Sequence, residues 1–449
     1  MAKGKIVFFD FEINPEKEKI LSVGCIRSDE AVFNKNDLNG FVEFIKHADY
    51  LCGHNILSHD LVYLQKNKGE PNFGRDKVID TLFLSPLLFP QNPYHKLLKD
   101  DKLQTEELNN PVNDAKKARD LFYDEENAFN HLPEEFKAIL YGLLYKITGF
   151  SCFFKYLGYT PSVLTGEMEK KIHGLFLNKL CQHSDLDHFI NKSPVSLAYA
   201  LALLNCDDRY SITPPWVLKN YPEVDNILFL LRNNPCIHGC NYCEKALNPI
   251  IALKRFFGFS SFRSYGDEPL QENAVLAAIQ GKSILAVFPT GGGKSITFQV
   301  PALMSGQNAK ALTVVISPLQ SLMKDQVDNL EKKHSNTEAV TINGLLDPIE
   351  GSKAIERIED GHASLLYISP ESLRSVTIER LLLKRNIARF VIDEAHCFSS
   401  WGQDFRVDYL YIGEFIKNLQ HQKKLEYPIP ISCFTATAKQ KVIEDIQGY

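Results

Sequence analysis

The sequence predicts an α/β protein with two sheets joined by a helical stretch, on three observations. After residue 280, short apolar runs recur as ILAVF, LTVVIS, SLLYIS, RFVID and PISCFTAT, most of them followed by helical spacing. Such alternation implies a parallel sheet covered by helices on both faces. Near the N-terminus, KIVFF and ILSVGCI read as buried strands, and residues 51–68 switch to helical spacing with Leu57, Leu61 and Leu64. From about 126 to 232, stretches such as EEFKAILYGLLYKI and SLAYALALLN are helical, punctuated by Gly and Pro. The expected plan is an α/β domain over 1–125, a helical connector over 126–235, a cysteine-rich segment over 236–250 and a second α/β domain over 251–449.

Composition narrows the function classes. A net charge of −5 gives no overall attraction to nucleic acid or membrane, so any DNA contact must come from local patches. No uncharged apolar run approaches the roughly 18 residues of a membrane span. The opening MAKGKIVFFDFE has only four consecutive apolar residues before Asp10, too few for a signal peptide. Ten cysteines, mostly scattered, suit free thiols in a reducing cytoplasm.

FPTGGGKSITFQ follows the strand ILAVF and opens a helix, the setting a phosphate-binding loop requires. Thr290, Gly291, Gly292 and Gly293 would let backbone N–H groups curl around phosphate oxygens. Lys294 would neutralise those oxygens and Ser295 would ligate Mg2+. Position 288 is Phe where the general pattern has its first Gly. Further on, RFVIDEAH places Asp393 and Glu394 at the end of an apolar strand. There an Asp can hold Mg2+ and a Glu can orient or deprotonate the attacking water. His396, from the same DEAH tetrapeptide, is counted with Lys294, Asp393 and Glu394 as catalytic. Alone, DEAH reads as a solvated strand end; together with a phosphate loop it reads as an NTP site.

PTGGGKS, ISPLQSLMKDQV, YISPESL, DEAHCFSSWGQDFRVDY and FTATA resemble, in that order, motifs I, Ia, Ib, II and III of the superfamily 2 helicases, specifically the RecQ family. FGFSSFR upstream resembles that family's adenine-recognition motif, and the resemblance covers about residues 250–449. It implies a RecA-like first motor domain that uses ATP and Mg2+ to move 3′ to 5′ along single-stranded DNA and unwind duplex. It implies that Gln271 reads the adenine edge, although FRSYGDEPLQ carries extra residues between FR and Gln. It implies DNA contacts at Ser317 and Pro318, and an aromatic-rich loop of Trp401, Phe405 and Arg406, whose physical basis is stacking on bases. Thr435 and Thr437 would link ATP state to DNA grip. The sequence stops one helix past motif III, before any second motor half, so the chain is expected to be the front part of a longer protein. By itself it is expected to bind nucleotide weakly and unwind little or nothing.

VFFDFE puts Asp10 and Glu12 two residues apart on a strand, hence on one face. Two carboxylates there are costly unless they bind cations. GHNILSHDLVYL supplies Asn55 and Asp60, and LNNPVNDAKKARDLF supplies Asp114. Asp, Glu, Asp and Asp in this order, with IDTLFLSPLLFP between, resemble the DEDD exonucleases, which have a DnaQ-like, ribonuclease-H-like fold, over about residues 1–125. That resemblance implies a pair of divalent ions that activates water and stabilises the leaving oxygen. In its histidine-type members the general base lies five residues before the last Asp, and in its tyrosine-type members four before. Those places hold Asn109 and Asn110, and neither amide accepts a proton from water near neutral pH. A missing general base costs about 10²- to 10⁴-fold in rate. His95 and Asp100 reproduce the five-residue step, but the helix-forming context fits Asp114 better. The expectation is a metal-capable domain with impaired or lost nuclease activity.

CIHGCNYCEK offers Cys236, His238, Cys240 and Cys243. Zinc held by the three thiolates with His238, or with a distant fourth ligand such as Cys206, fits these donors. An iron–sulfur cluster and three reduced cysteines at a structural turn stay open as alternatives. The spacing also matches the loop of radical S-adenosylmethionine enzymes, which belongs at the start of a (β/α) barrel rather than before a motor domain.

The leading expectation is therefore an enzyme: the front part of a RecQ-like helicase acting on single-stranded DNA and duplex ends, with ATP and no membrane as partners. The rival is a binding protein whose nuclease-like domain grips DNA without cutting and whose half-motor binds ATP without cycling. An active metal-dependent exonuclease is the third reading.

Overall fold

Strict alternation along the first strand organises the N-terminal part of the chain. In β1 (Ile6–Asn14), Val7, Phe9 and Phe11 point into one core, against Phe41, Val23, Ile56 and Leu61. The opposite face carries Phe8, which meets Phe122 of helix Pro111–His131 with ring centroids 5.7 Å apart. β1 pairs antiparallel with β2 (Lys19–Arg27), and β2 with β3 (Val32–Lys35). On its other edge β1 runs parallel to β4 (Tyr50–Gly53), and β4 to β5 (Val78–Asp80). The resulting mixed sheet has the order β3-β2-β1-β4-β5. Both strands expected from KIVFF and ILSVGCI are present. The stretch 51–68 splits into β4 and helix Asp60–Lys68, so its helical spacing holds only for the second half.

The computed structural model describes residues 4–14, 16–68, 74–97, 110–161, 165–206, 208, 211–289, 291–334, 338–344, 346–399, 407–425, 427–436 and 440–448. The expected site residues Thr290, Trp401, Phe405, Arg406 and Thr437 lie outside them, as do Asn109 and Asp100. The chain divides into two compact units. One comprises Met1–Leu175 and Ile190–Ala202, the other Phe176–Phe189 and Leu203–Tyr449. The stretch 126–235 is thus apportioned between the two units rather than standing as a body of its own. In the first unit Tyr199 donates its hydroxyl to the Phe83 carbonyl, which ties the returning segment to the rest. Among the described residues no helix is long and apolar enough to cross a membrane.

The second unit is built on six parallel strands: β6 (Ile284–Val287), β7 (Leu312–Ile316), β8 (Ala339–Ile342), β9 (Leu365–Ile368), β10 (Ile387–Ile392) and β11 (Ile431–Thr435), in the order β6-β11-β10-β7-β9-β8. Every residue of β7 and β9 is buried, the pattern of strands covered on both faces. One face packs Val314, Phe390 and Ile392 against Tyr409, Ile412 and Phe415. The other packs Val315, Val391 and Phe434 against Phe298, Leu303 and Phe256. All five apolar runs read from the sequence are strands here. β8 was not among them.

Candidate nucleotide site, carboxylate cluster and thiol cluster

In an open parallel sheet, ligands bind beyond the carboxyl ends of the strands. That edge of the second unit gathers the segments after β6, β7, β10 and β11. The phosphate loop after β6 turns through left-handed Gly291 (φ +74°) and Gly293 (φ +69°), and Lys294 opens the helix Lys294–Ala309. A side chain at either left-handed position would be strained, which is why glycine serves there. After β10, Glu394 also adopts a left-handed backbone (φ +49°), which is uncommon for a residue other than glycine.

Lys294 Nζ lies 2.6 Å from Glu394 Oε1 and 3.5 Å from Asp393 Oδ1. Burial pulls the ammonium down, but the two carboxylates outweigh it and hold Lys294 above its ordinary range. Asp393, 8% exposed, is pushed up chiefly by burial, against the pull of Lys294. Its carboxylate accepts from the Glu394 N–H at 3.0 Å, and its carbonyl accepts from the Tyr409 hydroxyl at 2.9 Å. His396 stands 3.3 Å from Glu394 Oε2 and 3.2 Å from Thr435 Oγ1, so it bridges the segments after β10 and β11. The sequence-predicted Lys294, Asp393, Glu394 and His396 thus form one constellation, with Ser295 beside Lys294 at the helix start.

Three expectations change. Gln271 is 2% exposed and its amide is engaged inside the protein. Nε2 donates to the Gly292 and Gly293 carbonyls at 3.0 and 3.2 Å, and Oε1 accepts from the Arg263 N–H at 2.9 Å. In this conformation Gln271 holds the phosphate loop instead of offering an edge to adenine. Ser317 and Thr435 are 3% and 0% exposed, so neither presents a surface that DNA could touch, while Pro318 is half-buried. Thr435 works internally, through His396. A residue not foreseen, Tyr265, donates its hydroxyl to the Gly292 carbonyl and rests its ring against Phe288, centroids 5.8 Å apart. It stands in the extra residues between FR and Gln271, where Tyr265 and Glu268 form a tight antiparallel bridge.

In the first unit, Asp10, Glu12 and Asp114 bring one carboxylate oxygen each within 4.8 Å of one another. The geometry follows from two local facts. Asp10 and Glu12 share the face of β1 that helix Pro111–His131 covers, and Asp114 sits in that helix's first turn. Gly24, paired with Asp10 across β1 and β2, has no Cβ, and one there would collide with the Pro111 carbonyl carbon and the Val112 nitrogen. Only glycine lets the helix start come this close. Asp60 is not part of the cluster as expected: its Oδ1 accepts from the Phe11 N–H at 2.7 Å, it is 2% exposed, and burial raises its pKa. Asn110 caps the helix, its side chain accepting from the Val112 N–H. His95 is buried, with Nδ1 2.8 Å from Ser85 Oγ, a packing position and not that of a base. Asn55, left-handed at φ +63°, gives its N–H to the Asp80 carboxylate at 2.7 Å.

Cys236, Cys240 and Cys243 come together, and the fourth member is Cys181, with all four sulfurs within 4.8 Å of one another. His238 and Cys206, the expected fourth ligands, stand outside that group. Burial would raise Cys240, but N–H bonds from Cys243 and Gln182, with the neighbouring thiols, bring it down to about 7.

Residues 268–446 match the family model described as DEAD/DEAH box helicase. The relatives of that region are RecQ-type helicases. "Probable ATP-dependent DNA helicase RecS" of Bacillus subtilis is 38% identical over 196 residues, 44% of this chain and 36% of RecS. "ATP-dependent DNA helicase RecQ" of the same organism is 40% identical over 194 residues, 43% of this chain and 30% of that protein. "ATP-dependent helicase SGS1" of Saccharomyces cerevisiae is 40% identical over 191 residues, 41% of this chain and 12% of that protein. The chain spans little more than a third, at most, of the length of these curated relatives.

Proposed function

We propose that this chain is the front part of an ATP-dependent DNA helicase of RecQ type, which couples ATP hydrolysis to 3′-to-5′ movement on single-stranded DNA and to duplex unwinding. The observation that carries this reading is the meeting of Lys294 with Asp393 and Glu394 at the carboxyl edge of a parallel sheet. The donor set fits a magnesium–triphosphate: one ammonium, two carboxylates, a serine hydroxyl and the N–H groups of a helix start. When bound, Mg2+ neutralises phosphate charge and orients the transferred group. With nucleotide bound, Lys294 would exchange its carboxylate partners for phosphate oxygens, leaving Asp393 to hold the metal and Glu394 to orient the attacking water. His396 passes that change to Thr435 through their shared hydrogen bond. DNA-stimulated ATP hydrolysis by the longer protein, lost in Lys294→Ala, is the expected result; hydrolysis surviving that substitution would refute the motor reading.

A specific observation favours a second activity class in the first unit. Asp10, Glu12 and Asp114 bring their carboxylates within 4.8 Å of one another, the kind of donor set that the DEDD exonuclease resemblance implies for divalent cations. We infer a unit that binds metal and grips DNA ends, with cutting impaired because Asn109 and Asn110 stand where a base is required.

A further inference from the structure

Cys181 lies fifty-five residues upstream of Cys236, in the segment Phe176–Phe189, yet its sulfur joins the other three. Cys181, Cys240 and Cys243 are buried at 3%, 7% and 7% exposure, and Cys236 is half-buried. The turn that brings Cys236 to Cys240 passes through left-handed Gly239, φ +71°. Backbone N–H groups point at the sulfurs: His183 N to Cys181 Sγ at 3.4 Å and Cys243 N to Cys240 Sγ at 3.5 Å. The His183 ring adds Nδ1 at 3.4 Å from Cys236 Sγ. Donors aimed at sulfur stabilise thiolate charge and orient ligands around a metal.

We propose that Cys181, Cys236, Cys240 and Cys243 bind one Zn2+ as a closed tetrathiolate that staples the 176–189 segment to the motor unit. A Zn–S bond of about 2.3 Å places the sulfurs of a tetrahedron roughly 3.8 Å apart, a spacing that falls inside the 4.8 Å within which all four sulfurs lie. A cluster with several irons and sulfides spreads its thiolates wider than one ion does, so this geometry favours zinc. With four protein ligands no position is open to substrate, which makes the site structural. The thiols belong to the same apolar cluster as Phe288 and Phe298, which flank the phosphate loop. The proposal does not depend on the motor reading, because it concerns metal content alone.

The full chain, purified without chelator, is to be analysed for metals and then reconstituted with Co2+. One zinc per chain, and a cobalt spectrum with the intense sulfur-to-metal charge transfer of four thiolates, are expected. Cys181→Ser should lose zinc at a chelator concentration that leaves the parent chain and Cys206→Ser loaded. Four readily titrated thiols without metal, two disulfides, iron with labile sulfide, or a Cys181→Ser chain that keeps zinc as firmly as the parent would each overturn the assignment. Because the first two measurements use the unsubstituted chain, misfolding of the variant does not protect the proposal.

Discussion

Lys294 and Glu394, one hundred residues apart in sequence, are joined Nζ to Oε1 at 2.6 Å. The pair closes the site on itself. Glu394→Gln keeps an oxygen for Lys294 but removes the basic carboxylate. Nucleotide binding should persist, while DNA-stimulated hydrolysis by the longer protein falls about 10²- to 10⁴-fold, the usual worth of a general base. Steady-state ATPase assays decide it, and an unchanged turnover would remove Glu394 from the role.

Tyr265 secures the Gly292 carbonyl from an insertion the helicase motifs do not require. A single hydrogen bond contributes about 0.5–1.5 kcal/mol net. Tyr265→Phe should therefore weaken magnesium–nucleotide binding roughly two- to tenfold with the fold intact. Calorimetric titration reads this directly; equal affinities would mean that Gln271 alone holds the loop.

Asn109→His restores a ring capable of taking a proton, five residues before Asp114. Manganese-dependent digestion of single-stranded DNA should rise by about 10²-fold or more. Adding Asp114→Asn should cancel the gain, because the carboxylate cluster loses a member. Parent activity that is already fast and indifferent to both changes would refute the impaired-nuclease reading.

Two histidines of the first unit, His95 buried and His54 half-buried, are expected to cost stability as pH falls. Thr81 gives its hydroxyl to the Gly53 carbonyl and so accepts from His54 Nδ1, leaving His54 Nε2 as a buried lone pair without a partner. His95 Nε2 is likewise unpartnered. Burial lowers both rings to about 4. With folded pKa values below the unfolded one, their contribution is complete above about pH 6.5 and is lost as pH falls towards 4, on the order of 3 kcal/mol each. Asp80, which burial lifts to about 7 against three N–H bonds, titrates with the opposite sign. The readout is therefore a difference: His95→Asn should flatten the loss of stability between pH 6.5 and 4 relative to the parent chain in denaturant titrations. Parallel curves would show that the ring does not titrate there.

Five of the second unit's six strands were legible because each is a continuous apolar run, and its candidate nucleotide site because GGGKS and DEAH are contiguous motifs tied to strand ends. β4 escaped because YLCG is short and flows into the helical spacing that follows. β8 escaped because AVTI is only four residues long and a polar Thr interrupts its apolar run. Gly24 did leave a trace, since an isolated glycine inside a strand marks a close backbone approach. Cys181 and Tyr265 left none.

By itself the sequence determined which residues carry charge and sulfur, and the order of strands and helices that delivers Lys294 and Asp393 to one sheet edge. Tertiary structure alone decided that Asp60 turns to the backbone of Phe11, that Gln271 and Tyr265 hold the phosphate loop, and that Cys181 completes the thiol cluster. The physical reason is range. Periodicity and spacing report what neighbours along the chain must do, whereas a partner fifty or a hundred residues away is selected by packing, and packing leaves no local pattern.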